Sequence, residues 1–258
     1  ANGRDYNAGG ARYNNRFIQA VGIGTITDSL AAIRQVVYAD GLLALPELLS
    51  AMEADYEGHE ALRQRLLHRT PKYGHDDDAA DYIMRRVFDA AFEAIDGRPT
   101  AIGGAHRLEM LPTTSHVYFG SVTGATADGR HSGLPVSEGI SPVQGADRKG
   151  PTAVFRSAAK MDHIKTGGTL LNMKFTPSLI AGDEGIERMR HLVRGYFDMD
   201  GHHVQFNVVD AATLREAQAD PDAHRDLIVR VAGYSDYFCD LSEALQEEII
   251  ERTEHATF

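Results

Sequence analysis

Helical periodicity and short apolar runs alternate along this chain, and that alternation points to an α/β architecture. Leu30, Ile33, Val36 and Val37 recur at helical spacing within 27–38, with Thr27 or Asp28 as the candidate N-cap. Segments 44–54 and 60–68 read as further helices. Pro46 is tolerated in the first turn of one, and Pro71 stops the other. Ile83, Val87, Ala91 and Ile95 place an apolar face on a long helix over 79–95. Beyond residue 100, glycines punctuate shorter apolar runs, and HVYFGSV (116–122) and GTLL (168–171) read as buried strands. A helix over 184–197, a strand over 202–209 and a helix over 211–218 ending near Pro221 follow. LIVRVA (227–232) is a strand running into Gly233, and the helix over 242–252 turns Leu245, Ile249 and Ile250 inward.

With 258 residues, 43% of them apolar, the chain can bury a substantial core. Its 26 Lys and Arg against 37 Asp and Glu give a net charge of −11, which argues against a nucleic-acid or anionic-membrane binder. No apolar run approaches the roughly 20 residues of a membrane helix. The polar, Gly- and Asn-rich start carries no signal-peptide pattern, and it reads as loop chemistry from the middle of a longer protein. The single cysteine, Cys239, excludes an intrachain disulfide and a Cys-based zinc site, in keeping with a reducing cytoplasm.

Conventional site motifs are sparse. The carboxylates of 75–78 (HDDD) could suggest a metal, but they sit where a helix wants an N-cap and an acidic first turn. VGIGTI (21–26) has neither the third glycine nor an evident preceding strand of a dinucleotide loop. His202 and His203 are adjacent, hence on opposite faces of a strand and poorly placed to share a metal. No metal site is expected. The glycine in RVAGYSDYF (230–238) reads, on physics alone, as a bend or a close backbone approach.

That string lies about 25 residues from the C-terminus and precedes a helix reading LxxxxQxxIIxRT; it closely resembles the radical-site signature of the glycyl radical enzymes. Similar segments run in order along nearly the whole chain: RYN (12–14), GIGT (22–25), TPKYG (70–74), DGR (128–130), GISP (139–142), KMD (160–162) and GGTLLN (167–172). Ala232, the SDYF that follows it and GGAHRLEMLPTTSHVYFG (103–120) resemble the dehydratase and eliminase branch, whose members act on glycerol, propanediol, choline, isethionate or hydroxyproline. Met173 stands where Gln is commoner in that branch.

The resemblance implies the C-terminal part of a ten-stranded α/β barrel, with residues 1–130 as a mostly helical barrel segment and 131–258 as a C-terminal glycyl radical domain. It makes Gly233 the radical-bearing catalytic residue, supported in its loop by Arg230, Val231, Ala232, Tyr234 and Ser235. No cofactor would be bound. The radical would be installed by an activating enzyme using S-adenosylmethionine and an iron–sulfur cluster, and that chemistry belongs to the activase. The family's thiyl cysteine and its general-base Glu would lie in an N-terminal part of the barrel outside this chain. Cys239 lacks their Gly-Cys-Val-Glu context and reads as a small apolar filler. His106, Arg107 and Met110 are substrate-pocket candidates, Arg107 either for an anionic substrate group or for a surface salt bridge.

The implied function is radical elimination that cleaves a C–O, C–N or C–S bond of a small hydroxylated substrate in anaerobic metabolism. The protein would be a homodimer in the cytoplasm or in a bacterial microcompartment, without nucleic-acid or membrane partners. A pyruvate formate-lyase and a non-catalytic stand-alone radical module are the alternatives.

Overall fold

The computed structural model of the chain describes residues 3–257. Four parallel strands succeed one another in chain order and in space. β1 (Arg16–Gln19) pairs with β2 (His106–Glu109), from Arg16 opposite His106 to Gln19 opposite Glu109. The ladder continues from β2 onto the approach to β3 (Asn172–Phe175). There the Gly167 N–H donates to Leu108 O, Met110 N–H to Gly168 O and Leu170 N–H to Met110 O. β3 then pairs with β4 (Gln205–Val208), Asn172 opposite Gln205 and Phe175 opposite Val208. An antiparallel hairpin follows, β5 (Ile228–Arg230) with β6 (Ser235–Tyr237). Last, β7 (Glu254–His255) returns to pair in parallel with β3.

Parallel neighbours need crossover connections, and helices supply them. Between β1 and β2 lie α1 (Ile23–Ile33), α2 (Leu45–Glu53), α3 (Glu60–His68) and α4 (Asp78–Ile95). Between β2 and β3 lie α5 (Ser115–Ser121) and α6 (Pro151–Ala159), and α7 (Gly182–Asp198) joins β3 to β4. α8 (Ala211–Ala219) precedes the hairpin and α9 (Glu243–Glu251) follows it. This α/β alternation is the one the sequence pattern implied.

The main core lies between strands and helices. Leu108, Met110, Leu171, Met173 and Phe175 pack with Met84 and Phe88 of α4, Val154 and Phe155 of α6 and Tyr196 of α7. On α4, Ala80, Asp81, Met84 and Phe88 are the deeply buried positions, whereas Val87, Ala91 and Ile95 only flank the core. A second core beneath the hairpin joins Leu170, Val229, Val231, Ala232 and Phe238 to Leu245, Ile249 and Ile250 of α9. A third unites α1, α2 and α3 around Val36, Leu48, Tyr56 and Leu66.

Four expectations are corrected. The segment 116–122 is not a strand: 116–121 lies in α5 and Val122 caps its C-terminal end. A seven-residue apolar run carries no periodicity that separates strand from helix. The buried positions, His116 and Gly120, are four apart, while Tyr118, Phe119 and Val122 face outward. Gly120 is required there, because a Cβ would lie 2.3 Å from Leu134 O. The strand placed at 168–171 is β3, four residues later, and Thr169 makes only an isolated bridge to Met110. The first helix begins at Ile23 rather than near Thr27. Its polar residues serve tertiary contacts: Asp28 Oδ1 accepts from the Tyr73 N–H at 2.8 Å and Thr25 Oγ1 from the Ser137 N–H at 2.9 Å. β1 does precede the VGIGTI loop, but the helix-start amides of Gly24 and Thr25 both donate to Ser137 Oγ, which occupies the place an anion would take.

Candidate functional site

The β5–β6 hairpin turns through a four-residue tip, 231–234, closed by the Val231 N–H donating to Tyr234 O at 2.9 Å. Val231 and Ala232 are buried in the second core, while Gly233 and Tyr234 are exposed. Gly233 has φ +80°, a left-handed conformation that L side chains rarely adopt. Space is not what excludes a side chain. A Cβ would meet Leu170 Cδ1 at 3.6 Å and Leu111 Cδ2 at 4.0 Å, ordinary contacts.

Both peptide groups flanking the Gly233 α-carbon are held by side chains. The Gly233 N–H donates to Gln205 Oε1 at 3.2 Å, and Arg230 Nη2 donates to Gly233 O at 3.1 Å. Arg230 Nε donates to the same Gln205 oxygen at 2.8 Å, and its Nη1 to Ser235 Oγ at 3.3 Å. Asn207 pairs with the backbone of Arg230 in both directions, accepting from its N–H and donating to its carbonyl, each at 2.7 Å. From below, the Arg252 guanidinium donates to Val231 O at 3.0 Å and Arg230 O at 3.4 Å.

Arg252 is buried and ion-paired to Glu248 at 2.8 Å, and His116 Nε2 lies 3.4 Å from the other oxygen of Glu248. Burial alone would push the Glu248 carboxyl up. Arg252 and His116 outweigh it and hold the group well below the ordinary carboxylate range. This buried ion pair beneath the hairpin anchors its backbone.

Removing a hydrogen atom from the Gly233 α-carbon would leave an electron shared between the amide nitrogen and the carbonyl, which needs that carbon planar. The acceptor at the N–H and the charged donor at the carbonyl both favour the charge-separated form of such a species. Val231, Ala232, Gly233 and Tyr234 thus form the tip of one hairpin, with Arg230 and Ser235 as the strand residues that flank it. Gln205, Asn207, Glu248 and Arg252 were not singled out from sequence. The available signal was the polar pair at i and i+2 in the apolar run HHVQFNVV, which puts both side chains on one face of the strand.

The other candidates sit along β2. Arg107 pairs with Asp96 at 2.7 Å, the salt-bridge alternative of its two readings. His106 is half-buried, and its buried Nδ1 makes no hydrogen bond. Met110 lies in the main core, and it is the next residue, Leu111, whose Cδ2 would lie 4.0 Å from a Cβ at position 233. The thiol of Cys239 is directed at His224 O, 3.4 Å away, and burial pushes its pKa up, away from thiolate chemistry.

In the acidic run, Asp77 Oδ1 caps α4 by accepting from the Ala79 N–H. Asp76, Asp78 and Asp81 instead surround Lys160 Nζ at 2.9, 2.8 and 2.7 Å. His202 lies just before β4 with its ring 5.2 Å from that of His163. Among the described residues no group of three or more His, Cys, Asp or Glu side chains could hold a metal, and no helix is long and apolar enough to cross a membrane.

Two family descriptions match the chain, Pyruvate formate lyase-like over residues 1–120 and Glycine radical over 136–239. The chain is 58% identical over 252 residues to trans-4-hydroxy-L-proline dehydratase of Clostridioides difficile, covering 98% of this chain and 32% of that protein. It is 42% identical to isethionate sulfite-lyase of Bilophila wadsworthia, covering 94% of this chain and 29% of that protein. The crystal structure of the C. difficile hydroxyproline dehydratase with trans-4-hydroxy-L-proline bound superposes with a TM-score of 0.95 at 57% identity, over 98% of this chain and 32% of that one. The glycerol-bound B12-independent glycerol dehydratase of Clostridium butyricum gives 0.92 at 42% identity, over 96% and 32%. The chain therefore has the fold of the matching part of these enzymes and spans about a third of their length.

Proposed function

Because the chain belongs to the glycyl radical enzymes, on their dehydratase and eliminase branch, we propose that it stores a radical on Gly233 for a lyase acting on a small hydroxylated substrate. The observation that carries this reading is the tip of the hairpin. Gly233 alone of the loop adopts a left-handed φ, and its N–H and carbonyl are each held by a side chain suited to a planar, polarised α-carbon. In this reading residues 1–130 are a barrel segment and 131–258 the radical domain. The thiyl cysteine and base belong to the rest of a homodimeric enzyme, and a radical S-adenosylmethionine activase removes the glycine hydrogen.

The bond broken is C–O, C–N or C–S. The 58% identity to trans-4-hydroxy-L-proline dehydratase makes trans-4-hydroxy-L-proline the first substrate to try, with isethionate and glycerol as competitors. His106, Arg107 and Met110 stay as pocket candidates.

The test is paramagnetic resonance on the activated full-length protein, with a doublet expected from the single remaining α-hydrogen. Gly233→Ala abolishes the signal. Air then cleaves the activated wild-type chain at Gly233, releasing a C-terminal piece of about 25 residues, because dioxygen adds at the carbon bearing the spin. A doublet in Gly233→Ala, or cleavage mapped elsewhere, overturns the assignment.

A further inference from the structure

The Gln205 amide that accepts from Gly233 can present either its oxygen or its nitrogen, and the two choices have opposite effects on the loop. Two donors that cannot be reversed meet it: the backbone N–H of Gly233 and the Arg230 guanidinium. Its oxygen must face them, so its NH2 faces away, and there Gln205 Nε2 donates to Asn172 Oδ1 on the neighbouring strand. Asn172 is then fixed in turn, its Nδ2 donating to Glu138 Oε1 at 2.5 Å.

Glu138 ends the chain of bonds with an atom that accepts in either protonation state. Ser141 Oγ also donates to this Oε1 at 2.5 Å, and Oε2 makes no hydrogen bond, leaving it the place for any proton. Burial pushes the Glu138 carboxyl up while Arg252 and His116 draw it down, yet the polarity of the relay is the same whether or not it is ionised. Glu138, Asn172 and Gln205 are all buried. The orientation of both amides is thus set from both ends, by obligate donors at Gly233 and an obligate acceptor at Glu138.

We propose that Glu138, Asn172 and Gln205 form a polarity relay that holds an acceptor against the Gly233 N–H, with Gln205 as the positioning residue for the glycyl radical. The inference rests on the radical reading of Gly233 for its electronic consequence, but not for its geometry. A hydrogen bond from N–H to a neutral amide oxygen stabilises positive charge on nitrogen, as the Arg230 bond stabilises negative charge on the carbonyl oxygen. Losing the first leaves the radical less delocalised and its α-carbon freer to twist. Glu138→Gln keeps the polarity, because the new amide can present its oxygen to Asn172 Nδ2, which also donates to Val231 O, and the donors at Gly233 and Arg230 still face the Gln205 oxygen. Asn172→Leu removes the middle of the relay and leaves the Gln205 side chain held from the Gly233 side alone.

Two readouts on the full-length protein separate this idea from the radical assignment. Amide hydrogen exchange of a peptide spanning 231–235 needs no radical. Gln205→Leu speeds exchange at Gly233 at least about tenfold, Asn172→Leu speeds it by a smaller factor, and Glu138→Gln leaves it at the wild-type rate. In the activated protein Gln205→Leu and Asn172→Leu change the α-proton splitting of the doublet and shorten its lifetime under argon, and Glu138→Gln changes neither. Asn172→Leu carries the test if Gln205→Leu does not fold. Wild-type exchange and an unchanged doublet in the folded Leu variants, or a Glu138→Gln protein that behaves like them, overturn the relay. A wild-type protein that gives no doublet at all overturns the radical assignment instead, and the exchange arm still decides the relay.

Discussion

At the scale of single residues, Asp28 shows how a buried charge turns into a pH dependence. It is 1% exposed, and desolvation drives its pKa from 3.8 to about 7 although Lys72, 3.9 Å away, pulls the other way. Between those two values the folded state binds the proton more tightly than the unfolded chain, so this group's contribution is most favourable below pH 4, declines as pH rises, and is flat above about 7. The full decline is on the order of 4 kcal/mol. Asp28→Asn retains an oxygen to accept from the Tyr73 N–H and removes the titration. Urea unfolding at pH 4.5 and pH 8 should therefore show the wild type losing stability over that interval by clearly more than the variant. Equal losses in both proteins would mean that Asp28 is ionised throughout. At the same scale, Gly233 was legible as a special glycine because its flanking string is so distinctive. Gln205 was not legible, since its importance comes from facing a loop 28 residues away in sequence.

At the scale of elements, the helices over 60–68 and 211–218 were read to within a residue, because each has a polar start and a proline or an unfavourable sequence beyond its end. The same reasoning failed where tertiary bonds outweighed local signals. Thr27 and Asp28 look like caps but lie inside α1, because their side chains are spent on partners more than 40 residues distant or buried in packing. Helix α5 was misread because its apolar residues face outward on a short run, so burial could not be inferred from composition. The start of α4 shows the opposite case, an acidic cluster whose purpose only the fold discloses. Lys160, at the C-terminus of α6, fills the space among Asp76, Asp78 and Asp81, and Asp81 is fully buried. Chelators should leave the circular dichroism and melting temperature of the protein unchanged. Lys160→Met should destabilise it by about 3 kcal/mol, since Asp81 would lose the cation that compensates its burial, and Asp81→Asn in the same chain should recover part of that loss. Helicity lost on adding EDTA would revive a metal at this cluster, and a harmless Lys160→Met would show that the clasp contributes nothing.

At the scale of the whole molecule, what the chain leaves uncovered matters as much as what it packs. All four residues of β1 are exposed, with Phe17 and Ile18 presenting 48% and 43% of their surface to solvent. Tyr118, Phe119 and Val122 of the α5 region and Ile164 are likewise exposed, at 65%, 47%, 66% and 79%. Among the described residues β1 pairs on one side only, with β2, so its other edge offers unpaired backbone groups beside apolar side chains. An edge of this kind, blunted only by its shortness and by Arg16, is a template for pairing with another chain. Among the described residues the parallel strands form two short sheets, β1–β2 and β4–β3–β7, linked by the Met110–Thr169 bridge and not closed on themselves, and closure is what removes such edges in barrels. The segment expressed by itself should therefore self-associate. Sedimentation velocity at increasing concentration should show species larger than 28.2 kDa, and Ile18→Lys, which puts a charge on the exposed edge without touching a core, should shift the distribution toward monomer while leaving the Gly233 hairpin intact. A monodisperse monomer with one cooperative thermal transition would mean that these faces are tolerated by water as they stand, and that the chain is stable without anything laid against β1.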